Sequence, residues 1–584
     1  CKKYPQLETV VPVDHMGKLT AEAGEFSGLT TDEANKAIAA NLEETGALFA
    51  IEPIIHQYPH CWRCKKPILF RATEQWFCSI DGFKNEAIAE LSKIKWVPDW
   101  GEKRIENMIR DRSDWCISRQ RKWGVPIPII YCKDCGKPIV NDETIKAIAD
   151  LFRKEGSDAW YIRDAAEFIP NTVQCDCGCK EFTKESDIMD VWFDSGVSHL
   201  AVLEERKELK WPADLYLEGA DQYRGWFQSS LLTSVAYKGC APYKTICTHG
   251  WVVDGEGRKQ SKSLGNGVEP SEIINKYGAD ILRLWVASSD YHADIRISSE
   301  ILKPLLDAYR KIRNTAKYIL GNLSDFDPNK DWVEDNQLTE LDRLAIYKLS
   351  GLVEKVNEAY NRFDFHIVYR SIYNFCVVDM SNFYLDIIKD RLYCEKPDGI
   401  LRRAAQTVIY RVLDTLTRMI APILSFTAEE IWSYLPHRAG DRAESVFFNT
   451  MEQSVPCDAD ETFIEKWNTI YAVRSDVQKA LELKRAENVI GKSLEAKVTL
   501  YALSELYSVL QGMRDQLPAI FICSQVEVES AGSGEFSGEL EGLSVTVSAA
   551  QGEKCERCWI YDETVGRDLE HPTLCKRCAQ VLEK

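Results

Sequence analysis

Residues Thr248 to Trp285 read THGWVVDGEGRKQSKSLGNGVEPSEIINKYGADILRLW, and the order of signals in this stretch decides how the chain is read. A β-rich run from Ile246 to Val253 leads into a glycine-rich turn. A basic loop follows, Arg258-Lys259-Gln260-Ser261-Lys262-Ser263. Pro270 and Ser271 then open an amphipathic helix, with Ile273, Ile274, Ile281, Leu282 and Leu284 at helical spacing. A strand, a loop and a helix in this order suit the binding of a polyphosphate. Glycines on both sides of the basic centre let the loop fold over a ligand. Lys259 and Lys262 bring ammonium groups to phosphate oxygens, and Ser261 and Ser263 bring hydroxyls. The pattern G-x-x-x-x-G-K-[ST] is absent, which excludes a Walker A loop.

Working outward, 584 residues hold about three to five domains. The 16 Trp and 24 Tyr supply core for a soluble protein. No run of about 18 apolar residues is present, so no membrane span is expected. The net charge of −18 argues against non-specific nucleic-acid binding, and any RNA contact then uses local patches. The chain opens on Cys1 without a Met or a signal peptide and reads as if cut from a longer one.

Of 20 cysteines, 11 lie in close clusters, which points to zinc in a reducing compartment rather than to disulfides. Cys555, Cys558, Cys575 and Cys578 are spaced C-x2-C-x16-C-x2-C, the pattern of a zinc ribbon. Arg557, Lys576 and Arg577 beside them suit phosphate contact, and a purely structural ribbon is the other reading. Cys132 and Cys135 form a knuckle closed by Gly136. Their partners are Cys175 and Cys177, with Gly178 next, and Cys179 is the spare. Cys61 and Cys64 form a knuckle with no second pair nearby, open between half a metal site and two free thiols.

Other stretches carry chemistry. Asp32 to Thr45 reads as one helix capped at Thr30-Thr31. Asp114 to Arg121, DWCISRQR, is a basic and aromatic block followed by Trp123-Gly124-Val125-Pro126. Asp190 to Gly196 reads DVWFDSG, and Tyr216 to Phe227 reads YLEGADQYRGWF. Tryptophans fill cores by default. Trp192 and Trp226 equally suit the flat apolar walls that an aliphatic side chain needs. Glu218, Asp221 and Gln222, at the end of an expected strand, suit an α-amino group or ribose hydroxyls. From Leu302 the chain turns helical, with long amphipathic segments at Leu306 to Leu323, Leu341 to Phe363, Phe375 to Leu392 and Arg402 to Leu435. From about residue 456 a helix, Glu465 to Arg485, precedes short strands at Ala496 to Tyr501 and Leu543 to Val547.

Together these residues resemble one family. The basic loop is similar to the KMSKS signature of class I aminoacyl-tRNA synthetases, with Gln260 in place of Met. Tyr58 to Arg63, Phe70 to Thr73, the DWCISRQR block, the Glu218 to Trp226 motif and the cysteine tail resemble the isoleucyl-tRNA synthetase family over nearly the whole chain. Arg121 and the tail favour it over the valyl family. The HIGH motif and the editing core are not found, so the chain resembles the C-terminal two-thirds of such an enzyme, inactive alone. The fold implied is α/β, the second half of a class I Rossmann-type catalytic domain. An α-helical anticodon-binding bundle, a small α+β region and a C-terminal zinc ribbon come after it. The expected divisions are 1–56, a remnant of the editing insertion, and 57–300, catalytic, with a zinc knuckle insertion at about 130–182. The helical domain is 301–455, the junction region 456–550 and the ribbon 551–584.

The resemblance implies activation of isoleucine by ATP and transfer to tRNA(Ile), by a cytoplasmic monomer with Mg2+ on the ATP and structural Zn2+. A valyl enzyme, or a non-catalytic tRNA-binding fragment, is the alternative. It assigns Lys262 and Lys259 to catalysis. Lys259, Ser261, Lys262, Ser263 and His249 fall to ATP, and Glu218, Gly219, Asp221, Gln222, Trp226 and Trp192 to the aminoacyl-adenylate. It makes the helical segments an anticodon-binding bundle, with Arg310, Arg313, Asn314, Arg370, Arg391 and Arg402 as candidate RNA contacts.

Overall fold

The computed structural model describes residues 9–61, 63–261 and 264–582. The chain divides into two units, Cys1–Tyr216 with Asp221–Ile246, and Leu217–Ala220 with Cys247–Lys584. No described helix is long and apolar enough to cross a membrane.

In the first unit, the helix Thr31–Glu44 starts on a capping box between Thr30 and Glu33. The helix Trp226–Lys238 buries Phe227, Leu231, Leu232 and Val235 together with Gln228, Ser229, Ser230 and Ser234. It is a core helix, with neighbours on several sides rather than one apolar stripe. Lys84–Glu90 packs against it and against Trp100–Arg110. The backbone N–H of Lys95 donates to the Lys244 carbonyl at 2.9 Å, which seats the strand Lys95–Val97 beside the start of Thr245–His249. A parallel bridge between Ala213 and Tyr243 does the same for the lead into Tyr216–Gly219. The knuckle region has its own sheet, in the order Pro138–Ile139, Ile130–Cys132, Phe182–Lys184. A small core of Ile130, Ile148, Trp160 and Phe168 lies under it.

In the second unit the run after the basic loop is two helices. Pro270–Tyr277 stops at Gly278, whose φ of 90° is left-handed, and Ala279–Ser288 restarts behind it. The bundle helices Ser299–Asn322 and Glu340–Arg362 are close to the sequence expectation. The expected helix from Arg402 to Leu435 is instead Ile400–Ile420 and Ser425–Tyr434. Pro422 has no N–H to give, and its ring blocks a continuous helix there. The segment Phe375–Tyr384 is π-helical rather than regular α.

Asp280 and Arg283 bolt the second post-loop helix to this break. The Asp280 carboxylate accepts from the backbone N–H of Thr427 at 2.7 Å and from its hydroxyl at 2.6 Å, capping Ser425–Tyr434. Arg283 donates to the carbonyls of Ile423 and Pro422 at 2.9 and 2.7 Å.

The helix Glu461–Ala486, capped by Asp460, leads to a three-stranded sheet. Its middle strand, Ala496–Ala502, alternates buried and half-buried residues. It runs parallel to Gln525–Glu529, a strand the sequence reading missed, and antiparallel to Leu543–Ala549. One hydrophobic core is continuous from the bundle into this sheet.

Candidate functional site

The basic loop in the second unit is shaped by a carboxylate that the sequence reading did not single out. Asp254 accepts hydrogen bonds from the Asn266 amide at 2.9 Å, from the Arg258 backbone N–H at 2.8 Å and Nε at 2.8 Å, and from the Glu256 N–H at 3.0 Å. These bonds, the Asn266 amide first, hold its carboxyl far below the usual carboxylate range. Asn266 then turns the loop back, accepting from the Ser261 N–H at 3.0 Å and donating to the Lys259 carbonyl at 3.2 Å. Gly257 sits at φ 85° inside this hairpin, against the Arg296 guanidinium.

Arg258 is therefore spent on Asp254 and, at 3.1 Å, on Glu256. Among the described residues the exposed Lys259 side chain enters no ion pair. Gln260 is half-buried, and its amide nitrogen has no hydrogen-bond partner among the described residues. Lys262 and Ser263 lie outside the described residues, as does Trp62 of the Tyr58 to Arg63 motif. His249 ends its strand with Nδ1 2.8 Å from the Gly250 carbonyl. Glu218 is exposed and Gly219 buried on Tyr216–Gly219.

The first unit brings Trp192, Asp221, Gln222 and Trp226 together. The Trp226 indole stacks on Tyr216, with centroids 4.0 Å apart and planes at 10°, and its N–H donates to the Ser195 carbonyl at 3.0 Å. Gln222 Oε1 accepts from the Trp226 backbone N–H at 3.0 Å, while its amide donates to Asp221 at 3.1 Å. Gly225 is required by space. A Cβ there would meet Gln222 Oε1 at 2.6 Å and the Trp192 ring at 2.8 Å.

Beside Trp192 opens a cavity of about 800 Å³, lined also by Arg112, Arg119, Arg224 and Gln228. Asp190 underlies its wall. It is buried, accepts from Trp115 Nε1 at 2.9 Å, pairs with Arg119 at 3.0 Å and caps the helix that carries Trp192. The DWCISRQR block thus positions Trp192 through Asp190, a link across about seventy residues that no local pattern announces.

The structure assembles two sets of four thiols, Cys132, Cys135, Cys175 and Cys177 in the first unit, and Cys555, Cys558, Cys575 and Cys578 in the second. Within each set all sulfurs lie within 4.8 Å of one another. A tetrahedral zinc with Zn–S near 2.3 Å needs sulfurs about 3.8 Å apart. The separations are 3.5 Å for Cys132 to Cys177, 3.4 Å for Cys135 to Cys175 and 3.8 Å for Cys558 to Cys575, so both sets fit the ion. The Cys135 backbone N–H on the Cys132 sulfur pulls that thiol down to about 6, against the opposing effect of burial. Cys179 accepts from the Glu181 N–H instead. Among the described residues no third metal-ligating side chain joins Cys61 and Cys64.

Metal analysis of the purified chain is expected to give about two zinc ions, and Cys555→Ser with Cys575→Ser about one. A value near zero for the intact chain rules both centres out.

Two arginines next to the second set are not left for phosphate. Arg577 makes a two-pronged pair with Asp390 at 2.6 Å, and Arg557 donates to the Cys394 carbonyl at 2.5 Å. These bonds fasten the ribbon to the bundle, whereas Lys576 stays exposed.

Three family models match the chain. Residues 18–298 match tRNA synthetases class I (I, L, M and V). Residues 342–500 match the anticodon-binding domain of tRNA ligase, and residues 552–581 the zinc finger found in FPG and IleRS. These are the domains of a class I tRNA synthetase. The chain is 54% identical over 582 residues to an isoleucine--tRNA ligase of Caldanaerobacter subterraneus, covering 99% of this chain and 62% of that protein. An isoleucine--tRNA ligase of Desulfitobacterium hafniense is 54% identical over 587 residues, covering 100% and 63%. The chain thus spans a little over three-fifths of the length of these curated relatives. A solved methionyl-tRNA synthetase of Mycobacterium tuberculosis aligns at 17% identity over 69% of this chain and 70% of its own, with a TM-score of 0.47.

Within the anticodon-binding domain and the helix before it, four of the candidate RNA contacts are already paired. Arg310 pairs with Asp307, Arg313 with Glu430 and Arg402 with Asp325. Arg391 is half-buried, held on the fully buried Asp342 at 2.9 Å. Asn314 and Arg370 remain exposed.

One buried base in the first unit carries a pH dependence. His199 Nδ1 accepts from Trp211 Nε1 at 3.0 Å, and burial pushes the imidazole down to about 4 from 6.5. Between those values the unfolded chain binds the proton and the folded chain does not. Stability from this residue is therefore full above about pH 6.5 and is lost as pH falls toward 4, by about 3 kcal/mol in all. Urea midpoints at about pH 7 and about pH 4.5 are expected to differ less in His199→Gln than in the parent chain.

Proposed function

We propose that this chain serves an isoleucine--tRNA ligase, which activates isoleucine with ATP and passes it to tRNA(Ile). The reading rests on the 54% identity to isoleucine--tRNA ligases that runs along 99% of the chain. The zinc finger of the IleRS type supports it over a valyl enzyme. In this reading Lys259, Ser261, Lys262, Ser263 and His249 serve ATP, which arrives with Mg2+. Lys262 first, and Lys259 second, offset the charge that builds on the departing pyrophosphate. Glu218, Gly219, Asp221 and Gln222 hold the polar groups of the aminoacyl-adenylate.

Trp192 forms the apolar wall for the aliphatic side chain. Trp226, fixed by Tyr216 and Ser195, sets the position of the Gln222 amide through its own N–H as well as adding indole surface. There is little covalent work for these groups. They align a carboxylate with the α-phosphate and exclude water from the mixed anhydride. The two cysteine sets hold structural zinc. A cytoplasmic monomer is part of the same proposal.

The test is a chimera in which this chain replaces the matching segment of the Caldanaerobacter ligase. Pyrophosphate exchange that depends on isoleucine and not on valine supports the reading. A folded, zinc-loaded chimera with no exchange overturns it, and retained tRNA binding would then leave a binding function.

A further inference from the structure

The helical domain contains a pocket that the aminoacylation reading does not use. It measures about 300 Å³ and lies between the helix Ile400–Ile420, the segment after Trp332 and the stretch around Glu452. Four carboxylates line it, from Glu334, Asp335, Asp414 and Glu452, against the guanidinium groups of Arg411 and Arg438. Arg411 is committed to Asp335 at 2.7 Å, and the Arg438 guanidinium lies over the Trp332 ring, 4.9 Å from its centroid.

Asp414 is 5% exposed and gives one oxygen to Arg418 Nε at 3.0 Å. Arg418 also serves Asp441 at 2.8 Å, so its charge is divided between two acids. The pocket is left with an excess of negative charge. Burial, the larger cause, and the carboxylates of Asp441 and Glu452 outweigh Arg418 and push Asp414 up to about 6.

A second observation points to a ligand. Tyr410 is 1% exposed, lines the pocket, and its hydroxyl has no hydrogen-bond partner among the described residues. A buried hydroxyl left without a partner costs about 1–3 kcal/mol unless something supplies one. The charge excludes an anion as that partner. A bare metal ion would not find three carboxylate, His or Cys ligands here. Among the described residues only the two cysteine sets bring three or more ligand atoms within 4.8 Å of one another.

We propose that this pocket binds a small organic cation, a protonated amine on a compact carbon skeleton, with the ammonium between Glu452, Asp414 and the Tyr410 hydroxyl. The ammonium has three donors for those three acceptors. The volume holds a molecule of several carbon atoms and is too large for an ion with its first ligands alone.

The test is isothermal titration of the full chain with n-butylammonium chloride, and with n-butanol as the uncharged probe of the same shape. Saturable binding of the amine at millimolar concentration, and none of the alcohol, is expected. Tyr410→Phe and Glu452→Gln should each weaken it about tenfold. Among the described residues the Tyr410 hydroxyl makes no bond, so Tyr410→Phe should leave the thermal midpoint without ligand no lower than the parent's. No saturable binding of the amine, equal binding of the alcohol, or binding that both substitutions leave unchanged overturns the proposal.

Discussion

Lys262→Ala in the chimeric ligase is expected to slow isoleucine-dependent pyrophosphate exchange by about two to three decades. Loss of one preorganised charged donor is worth roughly 3–4 kcal/mol in the transition state. The lysine contributes where charge develops, so kcat falls far more than the affinity for isoleucine. Arg258 cannot substitute, because Asp254 and Glu256 already hold it. Lys259→Ala should have the smaller effect. Gln260→Met is the control. The half-buried Gln260 amide nitrogen has no partner among the described residues, so methionine there should leave exchange intact. Near-normal exchange in Lys262→Ala would return the loop to a solvated surface feature.

Arg391→Met should destabilise the second unit by about 3–5 kcal/mol, because it strands the buried Asp342 carboxylate. Tyr384 donates to that carboxylate at 2.6 Å but brings no charge. Arg370→Ala, at an exposed position, should change stability by no more than about 0.5 kcal/mol. Urea unfolding of the two variants measures the contrast. Equal, small effects would mean that the Asp342 pair contributes nothing to the bundle.

Signals written within a few residues were legible in the sequence. The capping box at Thr30, the proline that opens Pro270–Tyr277 and the cysteine pairs are all local, and each has a physical reason to sit where it does. The four-cysteine sets needed only spacing and turn glycines, because a knuckle is a local object. Gly278 and Pro422 were equally visible, yet the periodicity of the apolar residues ran across them and hid both breaks.

Charge pairing was illegible. Arg391 reads as a surface cation until Asp342, 49 residues away, is placed beside it. The same holds for Asp254, whose partner Asn266 lies across the loop, and for Asp190, whose partners Trp115 and Arg119 come from another segment. An isolated carboxylate in a sequence carries no mark of the donors that will converge on it. Strand Gln525–Glu529 was missed because its apolar share is only two valines.

The bonds that seat the zinc ribbon also set an order of events during synthesis. Arg577 leaves the ribosome 187 residues after its partner Asp390, and Arg557 follows Cys394 by 163. At about 5–20 residues per second that interval is roughly ten to forty seconds, ample for a helical bundle to fold first. The ribbon therefore meets a finished docking surface. Metal capture by Cys555, Cys558, Cys575 and Cys578 is then a late checkpoint on a nascent chain whose bundle is already formed. Cells starved of zinc should accumulate this protein with a sound bundle and a loose ribbon, recognisable by cleavage confined to the stretch after Ala549.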